Sequence, residues 1–236
     1  IGPIVNSLAV VFGGLIGAFL GTRIPERLRI ALPLTFGAAS MGMGVTMIVK
    51  LHALPAVILA LLIGSALGEL FFIERGIGRL AGKARGPIEK RFGAPPNMDS
   101  NEFMEKFIGI LVLFCASGTG IFGALNEGMT GDPSILITKS FLDFFTAAIF
   151  ATALGYLVTV IALPQIIVLM TLFLTAGIIL PLTTPEMIGD FSAVGGIIML
   201  VTGLRISGIK SFPIANMLPA LLIAMPISWL WTMFVS

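Results

Sequence analysis

The chain alternates long apolar runs with short clusters of charged and turn-forming residues, and the length of those runs predicts their structure. A helix crosses about 30 Å of hydrocarbon with about 20 mostly apolar residues. Runs of this kind extend from Ile4 to Leu20, Ala31 to Val49, Leu54 to Ile73, Phe107 to Leu125, Ser140 to Leu163, Gln165 to Leu182, Ala193 to Ser207 and Pro213 to Val235. The pattern predicts an all-α, polytopic helical membrane protein with about eight transmembrane helices. Between Phe141 and Leu182 the turn is expected at Leu163, Pro164 and Gln165. A single kinked helix there would leave seven spans and reverse the side of everything after it.

Composition agrees. The 236 residues are 57% hydrophobic and 11% charged, against roughly 25% charged in soluble domains. Fourteen basic and 12 acidic residues are too few to coat a soluble surface. Nine of these charges lie between Phe72 and Asn101 and mark an aqueous segment. A net charge of +2 gives no broad basic face for nucleic acid. One cysteine, Cys115, permits no intrachain disulfide, and one histidine beside it builds no metal cluster. No cofactor is expected. The opening apolar run is not a secretory signal, because its basic residues follow at Arg23 instead of preceding it.

The basic residues also orient the chain, since Lys and Arg are retained on the cytoplasmic side of short loops. Arg23, Arg27 and Arg29 follow the first run, Arg75 through Arg91 the third, and Arg205 and Lys210 the seventh. With eight spans all fall on one side, while Lys50, Lys139, Glu127, Asp132, Glu186 and Asp190 fall on the other. Both termini are then expected outside, in the periplasm or its equivalent. The cytoplasmic segment, with Ile77, Leu80 and Phe92 between basic residues, reads equally as a headgroup-bound stretch or a solvated linker.

Four regions follow: a first three-helix unit over 1–73, a charged loop over 74–103, a central helix pair with a polar connection over 104–163, and a second three-helix unit over 164–236. Units of three spans at the two ends of an eight-span chain run in opposite directions, the inverted-topology arrangement of many transporters. A shift of 158 residues superposes Gly37 on Gly195, Met41 on Met199 and Pro55 on Pro213. Ile24, Pro25 and Glu26 have a counterpart in Thr184, Pro185 and Glu186. Identities across Pro33 to Gly68 are few, so topology carries this expectation more than alignment does.

Gly13, Gly17 and Gly21 stand four apart, as do Gly64 and Gly68, which suits close helix packing or a homodimer seam. Gly37, Gly42 and Gly44, then Gly118 and Gly120, then Gly195, Gly196 and Gly203 are clustered differently and suit either tight packing or local helix breaks that expose backbone to a ligand.

The densest polar sequence runs from Asn126 through Glu127, Thr130, Asp132 and Ser134 to Lys139 and Asp143. Asp132 and Pro133 suit a turn that opens a helix. Lys139 and Asp143 are four apart and share a helix face, with Thr146 on the same stripe. An ionised carboxylate followed by a further apolar run is costly, so Asp143 either pairs within its helix or serves a cation, a proton or a charged solute. Asn6, Ser7, Ser40, Thr46, Ser117, Thr119, Ser192, Thr202 and Asn216 could join such a site, although each alone also suits a cap or an interhelical hydrogen bond. Glu69 can reach the interface, and His52 is expected in an exposed outer turn. No HExxH, nucleophile elbow, P-loop or paired intramembrane aspartates occur, so an enzyme is not expected.

The run G-A-L-N-E-G-M-T-G-D-P-S from Gly123, K-S-F-L-D from Lys139, S-A-V-G-G from Ser192 and A-N-M-L-P-A-L from Ala215 resemble the YdfK/YqgA family of bacterial inner-membrane proteins. The resemblance covers nearly the whole chain, including Asn6 and the I-P-E at Ile24. That family is classed as a domain of unknown function and often labelled a transport protein. The resemblance implies that Glu127, Thr130, Asp132, Lys139, Asp143 and Asn216 belong to the family pattern, and it implies no known substrate.

The expected function is a secondary transporter that moves a small solute or ion by alternating access, embedded in the lipid bilayer and assembled as a homodimer. Its expected site combines Asp143 and Lys139 with the glycine breaks. A channel-like pore lined by the same groups is the second reading. A membrane scaffold or regulatory protein, with glycine faces for helix contacts and a basic loop for protein or anionic lipid, is the third.

Overall fold

A computed structural model describes residues 1–23, 25–83, 100–115 and 117–234. Among the described residues the elements are α1 (Gly2–Leu20), α2 (Glu26–Ile48), α3 (Leu54–Leu70), α4 (Ile73–Lys83), α5 (Ser100–Cys115), α6 (Gly118–Thr130), α7 (Ser134–Leu154), α8 (Leu157–Val160), α9 (Ala162–Ile179), α10 (Pro185–Ile206), α11 (Ile214–Met217) and α12 (Pro219–Phe234). Six helical stretches among them are long and apolar enough to cross a membrane. A seventh is added if α3 and the start of α4, bent by 47°, form one span. Phe72 makes that bend with a left-handed backbone, φ 52°. The protein is thus an all-helical membrane protein.

Two boundaries differ from the sequence expectation. The run from Phe107 to Leu125 is divided, because α5 ends at Cys115 and α6 begins at Gly118. Ser117 caps the new helix by accepting a 3.0 Å hydrogen bond from the Gly120 N–H. Further on, the chain turns at Gly155 and not at Leu163 to Gln165. Gly155 takes φ 63°, which ends α7 at little steric cost, and Leu157–Leu182 then forms one continuous stretch. Pro164 falls in the first turn of α9, where its missing N–H leaves no hydrogen bond unmade. The first part of the charged segment is the helix α4, and its remainder, 84–99, lies outside the described residues.

Glycines set the closest helix pairs, and their partners give the helix directions. A Cβ on Gly13 would lie 2.2 Å from the Phe144 carbonyl oxygen and one on Gly17 would lie 2.0 Å from that of Ala148, so α1 and α7 run parallel. Gly64 and Gly68 meet Ala220 and Asn216, so α3 and α12 run antiparallel. Gly37 meets Gly203 and Gly44 meets Gly196, so α2 and α10 are antiparallel as well. These small residues replace side-chain packing with backbone contact, the mode open to helices that gain nothing from hydrophobic association in lipid. Gly13, Gly17, Gly64 and Gly68 are therefore used within the chain, whereas a Cβ on Gly21, at φ 53°, would meet nothing within 4 Å.

Following these directions, one end of the bundle gathers Lys50, His52, Glu127, Asp132, Glu186 and Asp190. The other gathers Arg23, Arg27, Glu74, Arg75, Arg79, Lys83, Arg205 and Lys210. Lys139 belongs to neither end, since it is 3% exposed and points inward.

Two buried carboxylates at the first end act as helix caps in trans. Glu127 accepts 3.0 and 3.1 Å hydrogen bonds from the Gly2 N–H at the start of α1. Asp190 accepts 2.8 Å bonds from both His52 N–H and Ala53 N–H at the start of α3, and a 2.6 Å bond from the Ser228 hydroxyl. Each negative charge meets the positive end of a helix dipole, which is why it tolerates burial. Asp190→Ala strands three donors in a place short of water. Its expected cost is about 2–3 kcal/mol in denaturant unfolding of the purified protein, with Asp190→Asn intermediate. An Asp190→Ala protein as stable as the parent would mean that solvent already reaches this cap.

Candidate functional site

The site begins with the spacing of Lys139 and Asp143. One helical turn apart on α7, their side chains meet as a buried ion pair through Asp143 Oδ2. The same oxygen accepts from Asn6 Nδ2 of α1 at 2.9 Å and from Gln165 Nε2 of α9 at 3.1 Å. Gln165 Nε2 also donates to Asn6 Oδ1 at 2.8 Å. Three helices therefore converge on one carboxylate, and their amides supply the hydrogen bonds that water would otherwise make. The Lys139 ammonium lies 5.8 Å from the centre of the Phe114 ring. Gln165 Oε1 and the Ser7 hydroxyl, both buried, have no partner among the described residues.

The break between α5 and α6 lies beside this pair. A Cβ on Gly120 would come within 3.1 Å of Lys139 Cε and 3.0 Å of Ser117 Oγ, so the lysine passes the first turn of α6 at close quarters. Any larger residue there would require the lysine stem or the serine hydroxyl to give by a few tenths of an ångström. Thr119 Oγ1 lies 3.4 Å from Ser40 Oγ, and Ser40 donates to the Met199 carbonyl oxygen at 2.9 Å across the α2–α10 crossing.

A cavity of about 440 Å³ joins these groups to the basic end of the bundle. Ser40, Ser117, Thr119, Lys139 and Asp143 line its deep part, with Thr146 and Thr202 nearby. Phe36, Ile110, Leu113, Leu142 and Phe150 form apolar walls. Glu74 and Arg205 stand at its mouth, 2.8 Å apart. Arg205 Nη1 also donates to the Phe212 carbonyl oxygen at 3.0 Å, while Glu74 Oε2 accepts from the Ala215 N–H at 3.2 Å. Asn216 ties the same corner together, donating to Glu69 Oε2 at 2.5 Å and accepting from the Glu74 N–H at 2.8 Å.

The expected site residues thus separate. Lys139, Asp143, Asn6, Ser117, Thr119, Gly120 and Ser40 come together, with Gly118 opening α6. Asn216 belongs to the corner at the mouth. Glu127 caps α1, and Asp132 closes the α6–α7 connection far from the cavity. The hydroxyl of Ser134, then its backbone N–H, hold the Asp132 carboxyl below its ordinary pKa. Gly196 packs on Gly44, Gly195 lies against the Phe122 ring, and a Cβ on Gly42 would meet nothing within 4 Å. Sequence reasoning missed Gln165, read as part of a turn, and the Glu74–Arg205 pair, read as loop charges. An amide between long apolar stretches was the available signal for the first. Nothing in the order of residues joins Glu74 to Arg205.

Relatives align with this chain over nearly their full length. The chain is 54% identical over 232 residues to "Uncharacterized protein YqgA" of Escherichia coli (strain K12), covering 98% of this chain and 97% of that one. It is 29% identical over 223 residues to "Uncharacterized membrane protein YdfK" of Bacillus subtilis (strain 168), covering 94% and 93%. No solved structure matches significantly. The family described as "Protein of unknown function (DUF554)" matches residues 1–229, and the chain belongs to that family.

Proposed function

We propose that this protein is a secondary transporter of a small solute, working by alternating access across a bacterial inner membrane. The observation that carries the reading is the cavity of about 440 Å³ that leads from one end of the bundle to a buried, hydrogen-bonded ion pair beside a broken helix. Broken helices beside a polar site near the midplane are the recurrent construction of such carriers. A charged pair deep in an apolar bundle is expensive, and carriers retain such pairs because the pathway needs them. By the positive-inside rule the basic end is cytoplasmic, which puts both termini outside and the cavity open inward.

The α2–α10 crossing supports an inverted repeat. Gly37 and Gly44 exchange with Gly196 and Gly203 under a shift of 159 residues, and Ser40 then falls on its own partner Met199. Such a crossing, smooth and centred on one hydrogen bond, suits two halves that rock against each other. A continuous pore fits less well, because Asn6 and Gln165, both 0% exposed, close the space behind Asp143. The partners in this reading are lipid and a small solute, with transport and not catalysis as the activity.

The test is reconstitution. Purified protein in liposomes is expected to give saturable uptake from a panel of radiolabelled small solutes, with no unitary currents in planar bilayers. Large single-channel currents would make it a pore. Inertness to the whole panel would favour the scaffold reading.

A further inference from the structure

We infer that the deep end of the cavity binds a carboxylate carried on a small apolar body. The inference deepens the transport reading and rests on it for the route of travel, while binding itself is tested separately.

The argument is a balance of donors against acceptors. A protonated lysine has three N–H donors and no acceptor. Among the described residues Lys139 meets one acceptor, Asp143 Oδ2, and that oxygen already takes hydrogen bonds from Asn6 and Gln165. The ammonium stands where a second positive feature begins. The 13-residue helix α6 starts at Gly118, and the lysine stem is packed against its first turn. A helix N-terminus carries roughly half a positive charge and unsatisfied N–H groups. The formal charges of Lys139 and Asp143 cancel, as do those of Glu74 and Arg205 at the mouth, so the helix end tips the deep site positive. Against these donors stand Asp143 Oδ1, which takes no hydrogen bond among the described residues, and Gln165 Oε1, which lacks a partner there but does not line the cavity.

An oxyanion supplies what this surface lacks. A carboxylate can accept from the spare N–H groups of Lys139 and from the first turn of α6 while Asp143 keeps its amide partners. An amine could reach Asp143 Oδ1, but only beside the Lys139 ammonium and the positive end of α6, which repel it. The rest of the solute meets Phe36, Ile110, Leu113, Leu142, Ile149 and Phe150, which favours hydrocarbon over further charge. The mouth lies at the end that carries the basic residues, so the carboxylate comes from water and not from the bilayer.

Full-length protein in nanodiscs would be titrated with hexanoate, hexylammonium and hexanol by calorimetry. Saturable binding is expected for hexanoate alone. The Lys139→Met/Asp143→Asn double variant, which keeps the site uncharged, is expected to bind it at least about tenfold more weakly, the worth of one charge-assisted hydrogen bond. Absence of hexanoate saturation up to about 10 mM, above ordinary substrate affinities, would overturn the inference. So would preference for hexylammonium, or unchanged binding by the double variant. Oleate excluding hexanoate at far lower concentration would reassign the site to a membrane fatty acid and overturn the soluble source. Hexanoate binding without flux would remove the transport reading alone. Saturable flux of an amine without carboxylate binding would remove this inference alone.

Discussion

The Lys139→Met/Asp143→Asn double variant is expected to regain most of the stability that either single change removes, yet to carry no flux. Both side chains are nearly inaccessible, with relative exposures of 4% and 9%. Removing one member of a buried pair leaves an uncompensated partner in an apolar place and costs about 3–5 kcal/mol. Removing both charges takes away the attraction and the desolvation penalty together, and the net change is small. The remaining asparagine can still accept from Asn6 and Gln165, so the three helices keep their junction. Unfolding in denaturant would be measured for the parent, both singles and the double, beside uptake into liposomes. If the double variant transports at the parent rate, the ion pair is structural and the proposed site is wrong. If the singles are as stable as the parent, water reaches the pair and its burial is not the relevant fact.

Much of the fold was legible because hydrocarbon imposes a length on every crossing. The apolar runs, the ion pair spaced one turn apart and the gathering of basic residues at one end all follow from local sequence. The turn at Gly155 was missed because Pro164 is the stronger punctuation in isolation, yet proline in a first helical turn does no harm while a glycine at positive φ ends a helix. The helix break at Ser117 was foreshadowed by Gly118 and Gly120, but its position beside Lys139 depends on how α6 and α7 pack. The long-range partners were not legible. Asn6 and Gln165 are 159 residues apart and Glu74 and Arg205 are 131 apart, so only the fold brings them together. Glu127 and Asp190 show the converse, since both carry the acidic chemistry of a site and are spent on capping helices.

On α2 and its partner α10, the same chemical change is expected to act with opposite sign at two glycines. A Cβ on Gly203 would lie 2.4 Å from the Gly37 carbonyl oxygen and 2.9 Å from the Met41 nitrogen, both backbone atoms that cannot turn aside. Gly203→Ala therefore has to push the helices apart along their whole crossing. Overpacking of that kind costs about 1–3 kcal/mol, and it lengthens the 2.9 Å hydrogen bond from Ser40 to the Met199 carbonyl oxygen at the centre. On Gly42 a Cβ meets nothing within 4 Å, so Gly42→Ala adds no contact and removes helix-weakening freedom worth about 0.5–1 kcal/mol. Thermal unfolding should show Gly203→Ala melting below the parent and Gly42→Ala at or above it. Uptake should slow only in the first, because a widened crossing changes the surface on which the two halves are proposed to rock. Equal losses at both positions would mean that glycine is needed for helix flexibility throughout α2 and α10, and that close backbone approach at Gly203 is not what sets the crossing.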